Sequence, residues 1–249
     1  MSAGAVVSGR PGAPDVVLIH GLASSHGSWD RVVPLLEKRA NIVAVHLESA
    51  GSIEDDADDV AALLRSPALI AGHSRGGLVA TALAERHPDL VSALVLLCPP
   101  WSRASRKTAR GPIERALTVP GLGDLLWASA SERRRRDAQR SAFAPGTEIP
   151  EQFVTDVRAR GRRNFAASTR AIDAYLGAGH LAGRLANLPH PVELAFGELD
   201  GRVEAPGDRF DALPNTTTRV LPGIGHTPPW EAPRAVADLI IGSLDVAKP

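Results

Sequence analysis

Apolar residues along this chain fall into short unbroken runs separated by segments of helical spacing. Val16-Val17-Leu18-Ile19, Asn41-Ile42-Val43-Ala44-Val45, Ala68-Leu69-Ile70-Ala71 and Ala93-Leu94-Val95-Leu96-Leu97 are four such runs. Strands that are apolar on both faces belong in a parallel sheet covered by helices on both sides. Between the runs, Trp29, Val32, Val33, Leu35 and Leu36, then Val60, Ala61, Leu63 and Leu64, cluster as on the inner face of a helix. The alternation predicts an α/β fold with a mostly parallel, doubly wound sheet.

From about Trp101 to Asn187 the strand pattern disappears. This segment is rich in Ala and Arg, and Gly111-Pro112, Pro120-Gly121 and Pro145-Gly146 divide it into four or five predicted helices. The strand pattern resumes at Val192-Glu193-Leu194-Ala195-Phe196-Gly197 and at Thr217-Thr218-Arg219-Val220-Leu221. A last helix is predicted from Pro233 to about Leu244, with Val236, Leu239 and Ile240 at helical spacing. The organisation read from this is a core of residues 1–100 and 188–249 with a helical cap, residues 101–187, inserted between core strands. Such an insert covers the C-terminal edge of the sheet, where open α/β sheets bind ligands.

Length and charge narrow the picture further. The chain has 249 residues, with 28 Lys and Arg balancing 28 Asp and Glu, so net charge points to neither a nucleic-acid nor an acidic-membrane partner. No apolar run approaches a membrane span, and Met1 to Val7 lacks the basic-then-apolar pattern of a signal peptide. A cytoplasmic location is expected. The single cysteine, Cys98, excludes an intrachain disulfide and a cysteine-based zinc site, and its apolar surroundings make it a buried packing residue.

The candidate chemistry centres on Gly72-His73-Ser74-Arg75-Gly76. An apolar strand precedes this G-x-S-x-G pentapeptide, and the helix-compatible run Gly77 to Arg86, stopped at His87-Pro88, follows it. A serine on so sharp a strand-to-helix turn is expected at positive φ, with its hydroxyl clear of the chain and the flanking glycines letting strand and helix approach. The adjoining helix N-terminus suits developing negative charge. A serine hydroxyl becomes a nucleophile only when an imidazole takes its proton, and the imidazole needs a carboxylate to fix its tautomer. Asp200, in Phe196-Gly197-Glu198-Leu199-Asp200, follows one predicted strand, and His226, in Gly223-Ile224-Gly225-His226, follows the next. Glu198 and Glu204 are rival acids.

With Ser74, Asp200 and His226 in that order, the chain resembles the α/β-hydrolases, in their cap-bearing esterase and lipase-like branch. The resemblance is carried by His20-Gly21-Leu22 with Ser28-Trp29, by Gly72 to Gly76, by Gly197 to Asp200, and by Gly225-His226 with Trp230-Glu231-Ala232-Pro233. It covers the chain from about Asp15 to the C-terminus, apart from the cap. It implies an oxyanion hole built from the backbone N–H groups of Leu22 and Arg75, with neither cofactor nor metal. Two departures stand out. Only about fifteen residues precede Asp15, so the family's first β-hairpin is expected to be shortened or absent. The loop Val45 to Gly51 lacks the family's Asp and Gly-x-Gly turn and is expected to be unusual.

Other polar residues have plainer readings. His20 is expected to brace the oxyanion loop and His73 to lie under the elbow. The acidic run Glu54 to Asp59 follows Ser52, a natural N-cap, and suits the first turn of a helix better than a metal. Arg133 to Arg136 reads as a solvated helix face, and the Arg75 side chain as packing away from substrate. Trp101 and Trp230 are assigned to the wall of the substrate pocket. The reading that follows is a serine hydrolase cleaving a small to medium, mainly apolar carboxylic ester through an acyl-enzyme on Ser74. The alternatives are a thioester, lactone or carbon–carbon hydrolase, a perhydrolase, or a weakly catalytic ligand-binding relative.

Overall fold

The computed structural model describes residues 4–49, 51–108 and 111–246. Seven strands form one sheet: β1 Gly4–Gly9, β2 Asp15–Ile19, β3 Asn41–His46, β4 Ala68–His73, β5 Val91–Leu97, β6 Val192–Gly197 and β7 Thr216–Leu221. Their spatial order is β1-β3-β2-β4-β5-β6-β7. All neighbours run parallel except β1, which pairs antiparallel with β3 from Gly4 opposite His46 to Gly9 opposite Asn41. The expected shortened hairpin is thus a single edge strand, whose Val6 and Val7 remain exposed.

Alternate residues of a strand point to opposite faces, and here both faces are covered. Val17 and Ile19 of β2 pack into one core, and Val16 and Leu18 into the other. The first core is closed by α2 (Ile53–Ala61) and α3 (Arg75–Arg86), through Ile53, Val60, Leu78 and Leu83. The second is closed by Trp29, by Leu36 of the short α1 (Val33–Leu36), and by Val236 and Ile240 of the C-terminal helix Pro233–Val246. The acidic run opens α2 as a capping box: Ser52 Oγ accepts from Asp55 N and the Asp55 carboxylate accepts from Ser52 N, each at 2.9 Å.

Between β5 and β6 the chain is helical: α4 Pro112–Thr118, α5 Leu122–Ser129, α6 Glu132–Gln139, α7 Glu151–Ala178 and α8 Leu181–Leu185. The long α7 is broken at Gly161, whose φ of 74° and ψ of 167° leave the helical region. Its C-terminal half is anchored on the main core by Ile172, Tyr175 and Leu176. The N-terminal half forms a satellite core in which Phe153 meets Phe143 and Trp230 edge-on. After β7 come a short α9, Pro228–Glu231, and α10, Pro233–Val246. No helix among the described residues is long and apolar enough to cross a membrane.

Candidate active site

The turn from β4 into α3 is tight for a packing reason. A Cβ on Gly76 would stand 2.4 Å from the Ile19 carbonyl oxygen, so only glycine lets α3 start this close to β2. Ser74 occupies the turn with φ 52° and ψ −116°, and its N–H donates to Leu97 O at 2.8 Å. A non-glycine residue in this region is strained by roughly 1–3 kcal/mol, which the packed surroundings must sustain. The positive φ expected from the sequence is present.

Ser74 Oγ lies 2.9 Å from His226 Nε2, and His226 Nδ1 lies 2.7 Å from Asp200 Oδ2. The second Asp200 oxygen accepts from Arg202 N at 2.7 Å and Val203 N at 2.9 Å, so both oxygens of the carboxylate are held. Burial pushes this carboxyl upward, but His226 and the two backbone donors outweigh it and hold it below the usual range. A carboxylate fixed in this way requires the proton on His226 Nδ1 and leaves Nε2 free to accept from serine. The rival acids lie elsewhere. Glu198 accepts from Gly223 N at 2.8 Å, and Glu204 is tied by its backbone to Ser105 and Trp101.

Two further histidines are buried and neutral. His20 Nδ1 donates to Gly21 O at 2.9 Å while Nε2 accepts from Leu47 N at 3.1 Å, which fixes the loop after β2 as the sequence suggested. His73 Nε2 donates to the carbonyl of His226 at 2.6 Å. Burial lowers each imidazole from 6.5 to about 3. The Gly21–Leu22 peptide passes close to Ser74: a Cβ on Gly21 would stand 3.3 Å from Ser74 Cβ. Arg75 opens α3, and the first N–H groups of a helix have no carbonyl within the helix to bond.

The Arg75 side chain turns away from the site. Its Nη1 lies 2.5 Å from Asp56 Oδ2 and donates to Ser49 Oγ at 2.9 Å, within the protein interior. The unusual loop after β3 is what receives it. Ser49 sits at φ 52° and its carbonyl accepts from Ser168 of α7 at 2.8 Å, while Ala50 lies outside the described residues.

A cavity of about 440 Å³ opens onto Ser74 and His226. Its walls are Gly21, Leu22, Pro100 and Val203 from the sheet edge, and Ile113, Leu117, Trp127, Phe153, Phe165 and Ile172 from the helical segment. Trp101 and Trp230, assigned to this wall from the sequence, do not line it. Trp101 donates its indole N–H to Glu204 O at 2.8 Å, beneath the guanidinium of Arg209. Trp230 packs on Phe153 with Arg31 4.2 Å from its ring centroid, at a separate surface depression. Trp127, which the sequence did not single out, lines the wall instead.

Three residues that the sequence did not single out as functional support the site. The Glu231 carboxylate accepts from Gly225 N, Thr227 N and Ala144 N, clamping the His226 loop on both sides and joining it to the helical segment. Arg160, just before the break in α7, donates to Ser24 O at 3.0 Å and approaches His46 Nε2 at 3.2 Å, so α7 grips the loop beside Leu22. Arg202 lines the cavity. The only advance signal was for Glu231, in its fixed position after His226. Cys98 is buried, with its side-chain sulfur, one Asp200 oxygen and one His226 nitrogen within 4.8 Å of one another. Burial raises the thiol well above its ordinary range, and the carboxylate and imidazole are engaged with each other, so this trio reads as packing around the site.

A serine on a strained strand-to-helix turn, paired with histidine and aspartate at the C-terminal edge of a doubly wound sheet, defines a hydrolase-type nucleophile elbow. The chain belongs to the alpha/beta hydrolase family, whose model matches residues 16–239. A pimeloyl-(acyl-carrier protein) methyl ester esterase of Neisseria meningitidis serogroup C is 37% identical over 135 residues, which are 49% of this chain and 51% of that protein. The chain thus spans about half the length of that curated relative. An esterase of Thermogutta terrifontis, solved with malate bound, superposes with a TM-score of 0.77 at 21% identity, covering 99% of this chain and 94% of that one. The N-acyl homoserine lactonase AidH, complexed with N-hexanoyl homoserine, superposes with a TM-score of 0.77 at 20% identity, over 99% and 93%. At these identities the two structures speak to fold alone.

Proposed function

We propose that the protein hydrolyses a carboxylic ester through an acyl-enzyme on Ser74. The observation that carries this reading is the continuous relay from Ser74 Oγ to His226 Nε2, 2.9 Å, and from His226 Nδ1 to Asp200, 2.7 Å. Ser74 Oγ attacks the ester carbonyl as its proton passes to His226 Nε2. The tetrahedral oxyanion is held by the backbone N–H groups of Leu22 and Arg75, at a contribution of roughly 10²–10³ in rate per donor. Collapse expels the alcohol, which takes the proton from His226. Water, deprotonated by the same imidazole, then releases the acid and restores Ser74.

Residues 101–187 act as the cap in this reading. The apolar side chains Ile113, Leu117, Trp127 and Phe165 come from that segment and face the nucleophile across the cavity. A wall of this kind excludes water and favours a small to medium acyl or alkyl group. The ester chemistry named for the Neisseria relative agrees with this reaction class.

The test combines labelling and turnover. A fluorophosphonate should form one adduct, on Ser74, and short-chain 4-nitrophenyl esters should be cleaved. Ser74→Ala should abolish the adduct and lower kcat by at least about 10³-fold. Ester turnover in wild-type protein at the uncatalysed rate, with no adduct on Ser74, would refute the proposal.

A further inference from the structure

Three ionised side chains line the cavity: Arg106, Glu114 and Arg202. Arg106 is neutralised twice, by Glu114 at 2.8 Å and by Asp173 at 2.5 Å. Arg202 is not. Its Nη2 donates to Gln139 Oε1 at 3.0 Å and Ala138 O at 3.4 Å, and its Nε to Ser141 Oγ at 3.3 Å, all neutral acceptors. Among the described residues no carboxylate lies within ion-pair distance of it, and Nη1 has no hydrogen-bond partner. The two acids that act on it from further away, Glu114 and Asp200, are engaged with Arg106 and His226.

Arg202 is half-buried, and a guanidinium partly removed from water without a counter-ion is held at a cost, since burial weighs against its charge. A planar fork with an open N–H is also the group best suited to a carboxylate. The position matters as much as the charge. Arg202 stands two residues after Asp200, and its own N–H holds that carboxylate, so its side chain is rooted beside the relay. The wider field has the same sign: residues 101–187 carry 16 Lys and Arg against 8 Asp and Glu, whereas the rest of the chain carries 12 against 20. The neutral total hides a basic segment over the cavity, and such a field draws anions towards the site.

We propose that Arg202 is an anion subsite within the substrate cavity, and that the preferred substrates are esters bearing a second, ionised carboxylate, such as half-esters of dicarboxylic acids. The inference rests on the ester-hydrolase reading and deepens it. A purely mechanical role, in which Arg202 ties the loop after β6 to residues 138–141, would leave the enzyme indifferent to substrate charge.

The experiment compares kcat/KM for matched esters: methyl hydrogen adipate with methyl hexanoate, where the acyl part carries the charge, and 4-acetoxybutanoate with pentyl acetate, where the alcohol part does. In wild type at neutral pH at least one anionic ester should be favoured over its partner by roughly 10- to 100-fold, the worth of one or two charge-assisted hydrogen bonds. Arg202→Met should erase that ratio and Arg202→Lys should retain part of it. The ratio is read within each variant, so a general loss of activity cancels. If Arg202→Met is too disturbed to assay, adipate dianion as a competitive inhibitor of methyl hexanoate hydrolysis by wild type replaces it. No preference in wild type, a preference that survives Arg202→Met, or no inhibition by adipate would each overturn the subsite while leaving neutral-ester hydrolysis intact. Loss of all ester turnover would instead strike the parent reading, and calorimetric titration of adipate would then decide whether Arg202 binds the anion.

Discussion

His73 Nε2 donates to the carbonyl oxygen of His226 at 2.6 Å, so the residue beside Ser74 holds the loop that carries His226. The two rings lie 5.2 Å apart, in a site where both side chains are buried. The strand that ends at His73, just before Ser74, and the loop that carries His226 are thereby fixed to each other by a short bond.

His73→Phe keeps an aromatic ring and removes the donor, which strands a buried carbonyl at a cost of about 1–3 kcal/mol. Because that carbonyl belongs to His226, the loss should fall on kcat, by roughly 10- to 100-fold, with KM changed only a few-fold. His73→Gln, which can donate to the same oxygen, should recover part of it. Steady-state kinetics on one neutral ester decides; equal losses in both variants would mean the ring packs without positioning.

Asp200→Asn should lower kcat by roughly 10⁴-fold, because an amide donor opposite Nδ1 favours the wrong imidazole tautomer. Glu198→Gln, which only alters the partner of Gly223 N, should stay within a few-fold of wild type. A reversed ranking of the two variants would move the acid to Glu198.

Arg75 and Asp56 form an ion pair with the two side chains 1% and 5% exposed. Removing one partner of such a pair leaves an uncompensated buried charge and typically costs 3–5 kcal/mol. Asp56→Ala should therefore lower the urea midpoint substantially. Asp56→Ala combined with Arg75→Met should be more stable than Asp56→Ala alone, since no charge is then stranded. Additive losses in the double variant would contradict the pairing.

Acid should unfold the protein through its buried imidazoles. His20 and His73 each titrate at about 3 in the folded chain and near 6.5 when exposed, because burial disfavours the cation. Between those values the unfolded chain binds protons that the folded one refuses, so stability falls as pH drops from 6.5 towards 3. Well above 6.5 the two groups contribute no slope. Urea midpoints at pH 7.5, 6 and 5 should decline with a slope approaching two protons, and His20→Asn should reduce that slope by up to one. An unchanged midpoint down to pH 5 would show that the rings are accessible.

Much of this protein follows from local physics and can be read along the chain. Val16 to Ile19 and Ala68 to Ala71 declare themselves as strands because a parallel sheet buries both faces, so neither face needs a polar residue. Gly72 and Gly76 declare the elbow because no side chain fits where strand and helix meet, and Ser74, Asp200 and His226 follow from what a serine nucleophile requires. What the sequence left undecided depends on partners far away in the chain. Arg75 meets Asp56, Arg160 meets Ser24, and Glu231 meets Ala144, each across a separation that no local pattern encodes. Trp127 rather than Trp101 or Trp230 faces the cavity because the packing of α5 against its neighbours chooses which side turns inward. Arg202 is one arginine among many until folding sets it against neutral acceptors, with no carboxylate among the described residues at ion-pair distance. Chain-local patterns determine which elements form and which chemistry they carry; packing between remote segments decides what surrounds that chemistry, because burial and pairing exist only once those segments have met.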